Sequence, residues 1–328
     1  EEIWENKTPV PEPRLVEFTS DGSMLAVFCR VFEQKKCFVR FYDAASGKIV
    51  RELPLPGLSP VRSACFLRND SMLLLGHEDD CVCFVEIETG EVLKTLAGPG
   101  WVDVTTDETR AVTCGGGDSM RIWRLVDSSA STQPTTESSR SSVADPASAA
   151  NSLTANDHIA GVRLKRVVGE ASGNITSVAL SPDGKLAAVG LDGGKFEWWD
   201  MSTNERLEVS EAHNSLAIRH LQFNPDGTRL FVQPVASDYA YLWNAETRKP
   251  LGEAFNVRYF ALSPDGKYIV GTNDHGGVGY VESSLTEKFS RVPKPFQGKK
   301  YRHFTFLPGG HVAAIAEPHH ERISDHEQ

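Results

Sequence analysis

The sequence of 328 residues predicts an all-β protein built from seven copies of one unit of about four antiparallel strands. Three observations predict this class. A turn motif recurs seven times at similar spacing, the residues before each turn alternate with the period of a strand, and further strand-like segments such as KFEWWD and ERLEV follow. One four-stranded unit cannot bury both of its faces, whereas units stacked radially in a ring bury both and leave only short edges. The sequence therefore favours a closed ring of seven units.

The turn motif sets the repeat length. Its copies are FTSDGSML, FLRNDSML, VTTDETRAV, LSPDGKLAAV, FNPDGTRLFV, LSPDGKYIV and FLPGGHVAAI. Aligned on Asp21, Asn69, Asp107, Asp183, Asp226, Asp265 and Gly309, they are 48, 38, 76, 43, 39 and 44 residues apart. The longest interval contains residues 126–160, which are rich in Ser, Thr and Ala and too poor in apolar residues to form a core. Without these 35 residues the interval is 41, so we expect one domain over 1–328 with a disordered insertion at 126–160 in the third unit.

The residues before each aligned turn predict the innermost strand of each unit. The position five residues earlier is apolar in every copy: Val16, Ala64, Val102, Val178, Leu221, Phe260 and Phe304. The position three residues earlier is apolar too: Phe18, Phe66, Val104, Leu180, Phe223, Leu262 and Phe306. The position between them is mixed: Glu17, Cys65, Asp103, Ala179, Gln222, Ala261 and Thr305. A period of two identifies a β-strand with one strongly buried face.

A known family shares these features. The SPDG-type turns, the pair Trp199-Asp200, its variants in RIWRL, YLWNAET and RFYDAASG, and the segment AHNSLAIRHLQF resemble WD40 repeats, the blades of a β-propeller. The resemblance implies a seven-bladed β-propeller of four-stranded antiparallel blades, closed where the N-terminal strand in EIWENKTPV pairs with the C-terminal strands of the last blade. It also implies an Asp in the turn before each third strand, where a carboxylate bonded to backbone amides has a structural role. The matching residues are Asp80, Asp118, Asp192, Asp238 and Asp274.

One column carries the functional prediction. The chain has only 20 arginines, yet five of the seven copies have one at the position seven residues before the aligned turn. These five are Arg14, Arg62, Arg219, Arg258 and Arg302. The resemblance places this column at the mouth of the central channel. Guanidinium groups are planar forks suited to phosphate or carboxylate, so the column predicts an anion- or phosphopeptide-binding site. Trp101, beside the copy that has Gly100 instead, is expected to stack on a peptide side chain. In the alternative interpretation, these arginines pair with acidic residues of neighbouring blades and hold the ring together.

The composition narrows the classes of partner. The formal net charge of -10 argues against nucleic acid and anionic membranes as partners. No apolar run approaches the roughly 18 residues of a membrane helix, and no signal peptide opens the chain. We therefore expect a cytoplasmic, monomeric propeller whose partners are other proteins or peptides. Because the chain begins without Met, it is expected to be a processed product or a segment of a longer protein.

The cysteines argue against a metal site. Cys29, Cys37, Cys65, Cys81, Cys83 and Cys114 show no CxxC spacing, so zinc is not supported and no metal or cofactor is expected. Cys81 and Cys83 lie two residues apart on one face of a strand, where small thiols are ordinary core residues. A Cys29–Cys37 disulfide across a hairpin is left open, and it would indicate an oxidising compartment.

The sequence predicts a protein without enzymatic activity. It lacks a GxxxxGKS/T phosphate loop, an HExxH motif and a GxSxG elbow. We therefore expect a scaffold for protein interactions that binds acidic or phosphorylated peptides at the arginine-lined mouth. Two alternatives stand beside it. One is a sensor or docking module of a larger signalling protein fused to a kinase, as the resemblance to bacterial relatives implies. The other is a propeller hydrolase or lactonase that uses channel carboxylates such as Glu17 and Asp103.

Overall fold

The all-β prediction is confirmed. The computed structural model describes residues 13–31, 36–55, 59–67, 69–79, 81–97, 100–105, 107–114, 119–125, 158–159, 162–212, 216–237, 239–252, 254–263, 265–272, 278–282, 290–291, 301–306 and 312–316. Over these ranges the regular elements are antiparallel strands in seven sheets, together with one 3-10 turn at Asp192–Gly194. Within the same ranges, no helix is long and apolar enough to cross a membrane.

The first three sheets follow the chain in order. Sheet one contains β1 (Pro13–Phe18), β2 (Met24–Val31), β3 (Lys36–Asp43) and β4 (Ile49–Pro54). Sheet two contains β5 (Val61–Leu67), β6 (Met72–His77), β7 (Cys81–Glu86) and β8 (Val92–Ala97). Sheet three contains β9 (Trp101–Val104), β10 (Arg110–Cys114), β11 (Ser119–Leu125), β12 (His158–Ile159) and β13 (Val162–Glu170), with β13 next to β11 and β12 at the outer edge.

The remaining sheets repeat the pattern. Sheet four contains β14 (Ile175–Leu180), β15 (Leu186–Leu191), β16 (Lys195–Asp200) and β17 (Glu205–Glu211). Sheet five contains β18 (Ile218–Phe223), β19 (Arg229–Pro234), β20 (Tyr239–Asn244), β21 (Lys249–Pro250) and β22 (Phe255–Asn256). Sheet six contains β23 (Tyr259–Leu262), β24 (Tyr268–Thr272), β25 (Val278–Glu282) and β26 (Ser290–Arg291). Sheet seven has two described strands, β27 (Tyr301–Phe306) and β28 (Val312–Ala316).

The predicted insertion and the two ends of the chain fall largely outside this description. The predicted insertion at 126–160 connects β11 to β13, and of it only residues 158–159 are described, as the short strand β12. The N-terminal EIWENKTPV and the C-terminal ERISDHEQ lie outside the described residues. The expected pairing of the two chain ends therefore stays a prediction.

The SPDG-type turns are fixed by their own side chains. In sheet six, Ser263 Oγ and Lys267 N donate to Asp265 Oδ1 at 2.6 and 3.0 Å, and Tyr268 N donates to Ser263 Oγ at 2.8 Å. Gly266 has a φ of 68°, in the left-handed region that favours glycine. The two bonds to the carboxylate lower the pKa of Asp265. The motif recurs because its own side chains satisfy the backbone groups of the turn.

The apolar columns form the packing between adjacent sheets. The side chain five residues before each turn is buried in all seven sheets: Val16, Ala64, Val102, Val178, Leu221, Phe260 and Phe304. Between sheets two and three, Phe84 meets Trp123 edge-on with 6.1 Å between ring centroids. Successive inner strands contact each other from β1 to β18 and again from β23 to β27, and β1 contacts β27 as well as β5. The first and last described sheets are therefore adjacent in space.

Candidate functional site

The arginine column coincides with β-bulges at the start of the inner strands. In sheets one, two and five, the ladder between the inner strand and its neighbour skips one residue, and the skipped residues are Arg14, Arg62 and Arg219. Thr176 occupies the same position in sheet four. A bulge residue has no partner opposite it, and the bulge redirects its side chain. The side chains at these bulge positions therefore point in a different direction from those of the paired residues on either side.

Two of these arginines converge on one tyrosine. Arg219 belongs to sheet five and Arg258 directly precedes β23 of sheet six, and both side chains are exposed. The Arg219 Cζ lies 5.0 Å from the centroid of the Tyr259 ring, and the Arg258 Cζ lies 5.8 Å from it. Such cation–π contacts hold guanidinium groups over an aromatic face. Two positive charges thus meet across the boundary between sheets five and six.

A second contact of the same kind joins sheets two and three. The Arg62 Cζ lies 5.4 Å from the centroid of the Trp101 ring, and both residues are partly exposed. The sequence assigned Trp101 to stacking on a peptide side chain. In the structure, Trp101 instead contacts the guanidinium group of Arg62, and the sequence did not predict this contact.

For two of these arginines, blade-to-blade ion pairing receives no support. Over the described part of the chain, neither Arg62 nor Arg219 forms an ion pair with a carboxylate, whereas Arg40–Glu52, Arg206–Glu197 and Arg248–Glu208 do form such pairs. Each of the two instead contacts an aromatic ring of the next sheet. The side chain of Arg302 lies outside the described residues, and in sheet seven the skipped residue is His303, one position later.

Polar side chains of the inner strands bond to the edge of the next sheet. Ser63 Oγ donates to Gly100 O at 3.1 Å and accepts from Val102 N at 2.9 Å, which joins sheets two and three. Asp103 Oδ2 accepts from Leu180 N at 2.7 Å, which joins sheets three and four. Unpaired edge groups of a strand otherwise need water or another strand. These bonds give Asp103, a carboxylate of the hydrolase alternative, a structural role.

Glu17 and Asp103 both have raised pKa values, and the charge of Asp103 contributes to the shift of Glu17. Burial, together with the charge of Asp103, raises the pKa of Glu17 to about 8. Burial also raises the pKa of Asp103 to about 6, against the effect of hydrogen bonds from the Leu180 and Val104 amides. Glu17 is consequently protonated at neutral pH, whereas Asp103 is largely ionised.

We expect Glu17→Gln to make stability less dependent on pH. In the folded protein Glu17 holds its proton up to about pH 8, whereas its ordinary pKa is 4.5, so its contribution to stability is lost as pH rises through this window. Glutamine has a similar shape and does not ionise. Urea unfolding at pH 5 and pH 8 should show a wild-type loss of stability that shrinks by about 3 kcal/mol in the variant. The exposed Glu205→Gln is the control, and a wild-type-like loss in Glu17→Gln would contradict the raised pKa.

The turn aspartates are only partly described. Asp192 is exposed, its N–H donates to Asn174 O at 3.1 Å, and its Oδ2 accepts from Asn174 Nδ2 at 3.1 Å. The described contact of its carboxylate is therefore a side-chain amide, whereas the resemblance implies backbone amides, and the structural role of this residue stays a prediction. The other four lie outside the described residues: Asp80, Asp118, Asp238 and Asp274.

The disulfide alternative is wrong. All six cysteines are free thiols. The ladder between β2 and β3 pairs Cys37 with Arg30 and Cys29 with Phe38, so the two cysteines are offset by one position. The Cys29 and Cys37 thiols lie 3.4 Å from the carbonyl oxygens of Val27 and Ser59, to which they donate.

Comparison with known proteins shows which protein family this chain resembles. The model of the family described as "WD domain, G-beta repeat" matches residues 161–200, which include Trp199-Asp200. A solved β-propeller domain, Myceliophteria thermophila Cps50 (Swd1), aligns with a TM-score of 0.66 and 14% identity over 95% of each chain. Together these findings support a WD-repeat β-propeller: residues 161–200 match one WD repeat, and nearly the whole chain shares the fold of a solved propeller domain. Propellers of this family generally serve as scaffolds for protein interactions.

One curated protein and one further solved structure that resemble this chain show how far the comparisons extend. Pre-mRNA-processing factor 19 of Schizosaccharomyces pombe is 25% identical over 191 residues, which are 54% of this chain and 38% of that protein. The aligned region therefore spans well under half the length of that relative. Kuenenia stuttgartiensis hydrazine synthase aligns with a TM-score of 0.65 and 17% identity over 96% of this chain and 98% of that chain. At this identity the likeness shows the fold alone.

Proposed function

We propose that this WD-repeat chain is a non-catalytic scaffold that binds acidic or phosphorylated peptides at the arginine rim. The arginine rim is defined as Arg14, Arg62, Arg219, Arg258 and Arg302. The observation that carries the proposal is the convergence of Arg219 and Arg258 on Tyr259, with both side chains exposed. Guanidinium groups have a planar set of N–H donors whose geometry matches a phosphate or a carboxylate.

The electrostatics of this region favour an anionic ligand. Two guanidinium groups on one ring repel each other, and a phosphate or carboxylate between them relieves that repulsion. His220, next to Arg219, adds no charge, because burial and the Arg219 charge lower its pKa to about 4. In a protein with a net charge of -10, such a local positive site attracts acidic segments selectively. We therefore assign the partners to proteins or peptides and not to nucleic acid or membranes.

The proposal includes a closed, monomeric ring of seven blades in the cytoplasm. The adjacency of β1 to both β5 and β27 supports ring closure, with the N- and C-terminal strands paired in the last blade. Six free thiols accord with a reducing compartment. The hydrolase alternative is weaker, because the Asp103 carboxylate is bonded to the Leu180 amide. A docking module of a larger signalling protein would use the same rim.

Fluorescence anisotropy with a degenerate peptide pool tests the proposal. Each peptide is labelled and titrated in its phosphorylated and unphosphorylated form. We expect binding that requires phosphate or clustered acidic residues, weakens as salt is raised, and is displaced by inorganic pyrophosphate. Binding of neutral peptides that salt and pyrophosphate do not affect would contradict the proposal, and so would no binding by the folded protein.

A further inference from the structure

Three potential metal ligands meet in sheet two, although the sequence spacing argued against zinc. His77 ends β6, and Cys81 and Cys83 lie on β7. The ladder pairs Leu75 with Cys83 and Gly76 with Val82, so the next step brings His77 opposite Cys81. Because side chains alternate along a strand, all three side chains lie on the same face of the hairpin. Their nitrogen and sulfur atoms all lie within 4.8 Å of one another.

The orientation of the imidazole supports a role as ligand. His77 is 1% exposed, and its Nδ1 lies 3.1 Å from Ser59 O. A carbonyl only accepts hydrogen bonds, so Nδ1 carries the proton and Nε2 has a free lone pair. Nε2 is buried and has no hydrogen-bond partner. A histidine that binds a metal through one nitrogen commonly donates from the other to a carbonyl, as Nδ1 does here.

The remaining donors complete a soft set. Cys81 is partly exposed, and its Sγ lies 3.2 Å from Asp79 Oδ1. Cys83 is buried, and its Sγ lies 3.5 Å from Thr95 Oγ1. Two thiolates and a neutral imidazole are ligands that zinc prefers in tetrahedral sites, and a solvent molecule can occupy the fourth position. The exposed side of Cys81 gives an ion a path from solvent.

We propose that His77 Nε2, Cys81 Sγ and Cys83 Sγ bind one Zn²⁺ ion, with the fourth position left to a solvent molecule on the partly exposed side of Cys81. Binding releases the two thiol protons to solvent, and the ion then links β6 to β7. His77 pairs with Val61, the residue before Arg62, so the site lies at the same end of sheet two as the arginine rim. The site does not depend on the peptide-binding proposal.

Metal titration of the full chain tests this site. The protein is stripped with a chelator and titrated with Zn²⁺ against a chromophoric competitor, and in parallel with Co²⁺. We expect one equivalent of each ion to bind, a thiolate-to-cobalt charge-transfer band in the near ultraviolet, and a higher Tm with zinc. Zinc should also protect Cys81, but not Cys65, from alkylation.

Single-cysteine variants locate the ion. Cys81→Ser should weaken zinc binding by about a hundredfold or more, since the loss even of an outer partner costs about ten- to a hundredfold. Cys65→Ser is the matched control, because Cys65 is also partly exposed and lies outside the cluster. No stoichiometric binding by the folded wild type, a cobalt spectrum without a thiolate band, or equal affinity in the two variants would overturn the proposal. The wild-type spectrum decides the question even if a variant fails to fold.

Discussion

Glu197→Ala is expected to reduce the free energy of unfolding by about 3–5 kcal/mol. The Glu197 side chain in β16 is completely buried. Its Oε1 accepts from Ser172 N at 2.8 Å, Ser172 Oγ at 2.6 Å and an Arg206 Nη at 2.9 Å, and its Oε2 accepts from Trp199 Nε1 at 2.9 Å. Alanine removes the acceptor of all four bonds, and the indole N–H of the buried Trp199 then pays its full desolvation cost, because it is left with no partner in the described part of the protein. The variant also removes the link between β16 and the segment that enters β14.

Equilibrium unfolding in urea measures this loss, and a surface glutamate provides the control. Glu208 also pairs with two cationic side chains, Arg248 at 3.1 Å and Lys249 at 3.2 Å, but it is partly exposed. Exposed ion pairs contribute little, so Glu208→Ala should cost about 0–1 kcal/mol. If the two variants lost the same stability, the buried network in sheet four would not have the importance that we assign to it.

The double variant Arg219→Glu, Arg258→Glu is expected to lose affinity for acidic peptides by about a hundredfold or more. Two charge-assisted hydrogen bonds contribute about 1.5 kcal/mol each at the lower end of their range, and each tenfold loss in affinity corresponds to about 1.4 kcal/mol. Repulsion between the new carboxylates and the ligand adds to this loss. Because both arginines are exposed, circular dichroism should show a folded protein with a Tm close to that of the wild type.

A control variant with the same change in net charge distinguishes binding at a local site from attraction by the overall charge of the protein. Lys185 and Lys267 are exposed and lie in SPDG-type turns, beyond the opposite ends of the inner strands. Anisotropy titrations of Lys185→Glu, Lys267→Glu should therefore show nearly wild-type affinity. Equal losses in the two double variants would mean that net charge alone governs binding. An unchanged affinity with a lowered Tm in the arginine variant would mean that these arginines hold the blades together.

The all-β class, the strand period and the repeat units were predictable because they depend on local sequence. Turns such as Ser263–Tyr268 satisfy their own hydrogen bonds, and the buried column from Val16 to Phe304 follows directly from alternation. The β-bulges were not predictable. A bulge is a property of two strands in register, and the sequence around Arg62 does not specify which residue of β5 is skipped.

The candidate site was predictable in part. The arginine column follows from the repeat alignment, but the contacts with Tyr259 and Trp101 depend on how neighbouring sheets are placed. The proposed metal ligands were missed for a related reason. Cys81 and Cys83 lack the spacing of a zinc motif, and the third ligand, His77, comes from the adjacent strand.

Hydrogen–deuterium exchange with and without a bound acidic peptide tests the central claim, that the arginine rim is the peptide-binding site, most directly. The ligand is the peptide from the pool that binds most tightly, at a saturating concentration. We predict slower exchange at residues 61–63, 218–220 and 258–260, where the inner strands begin. Slower exchange confined to the SPDG-type turns at 181–185 and 263–268, with none at the rim, would contradict the claim.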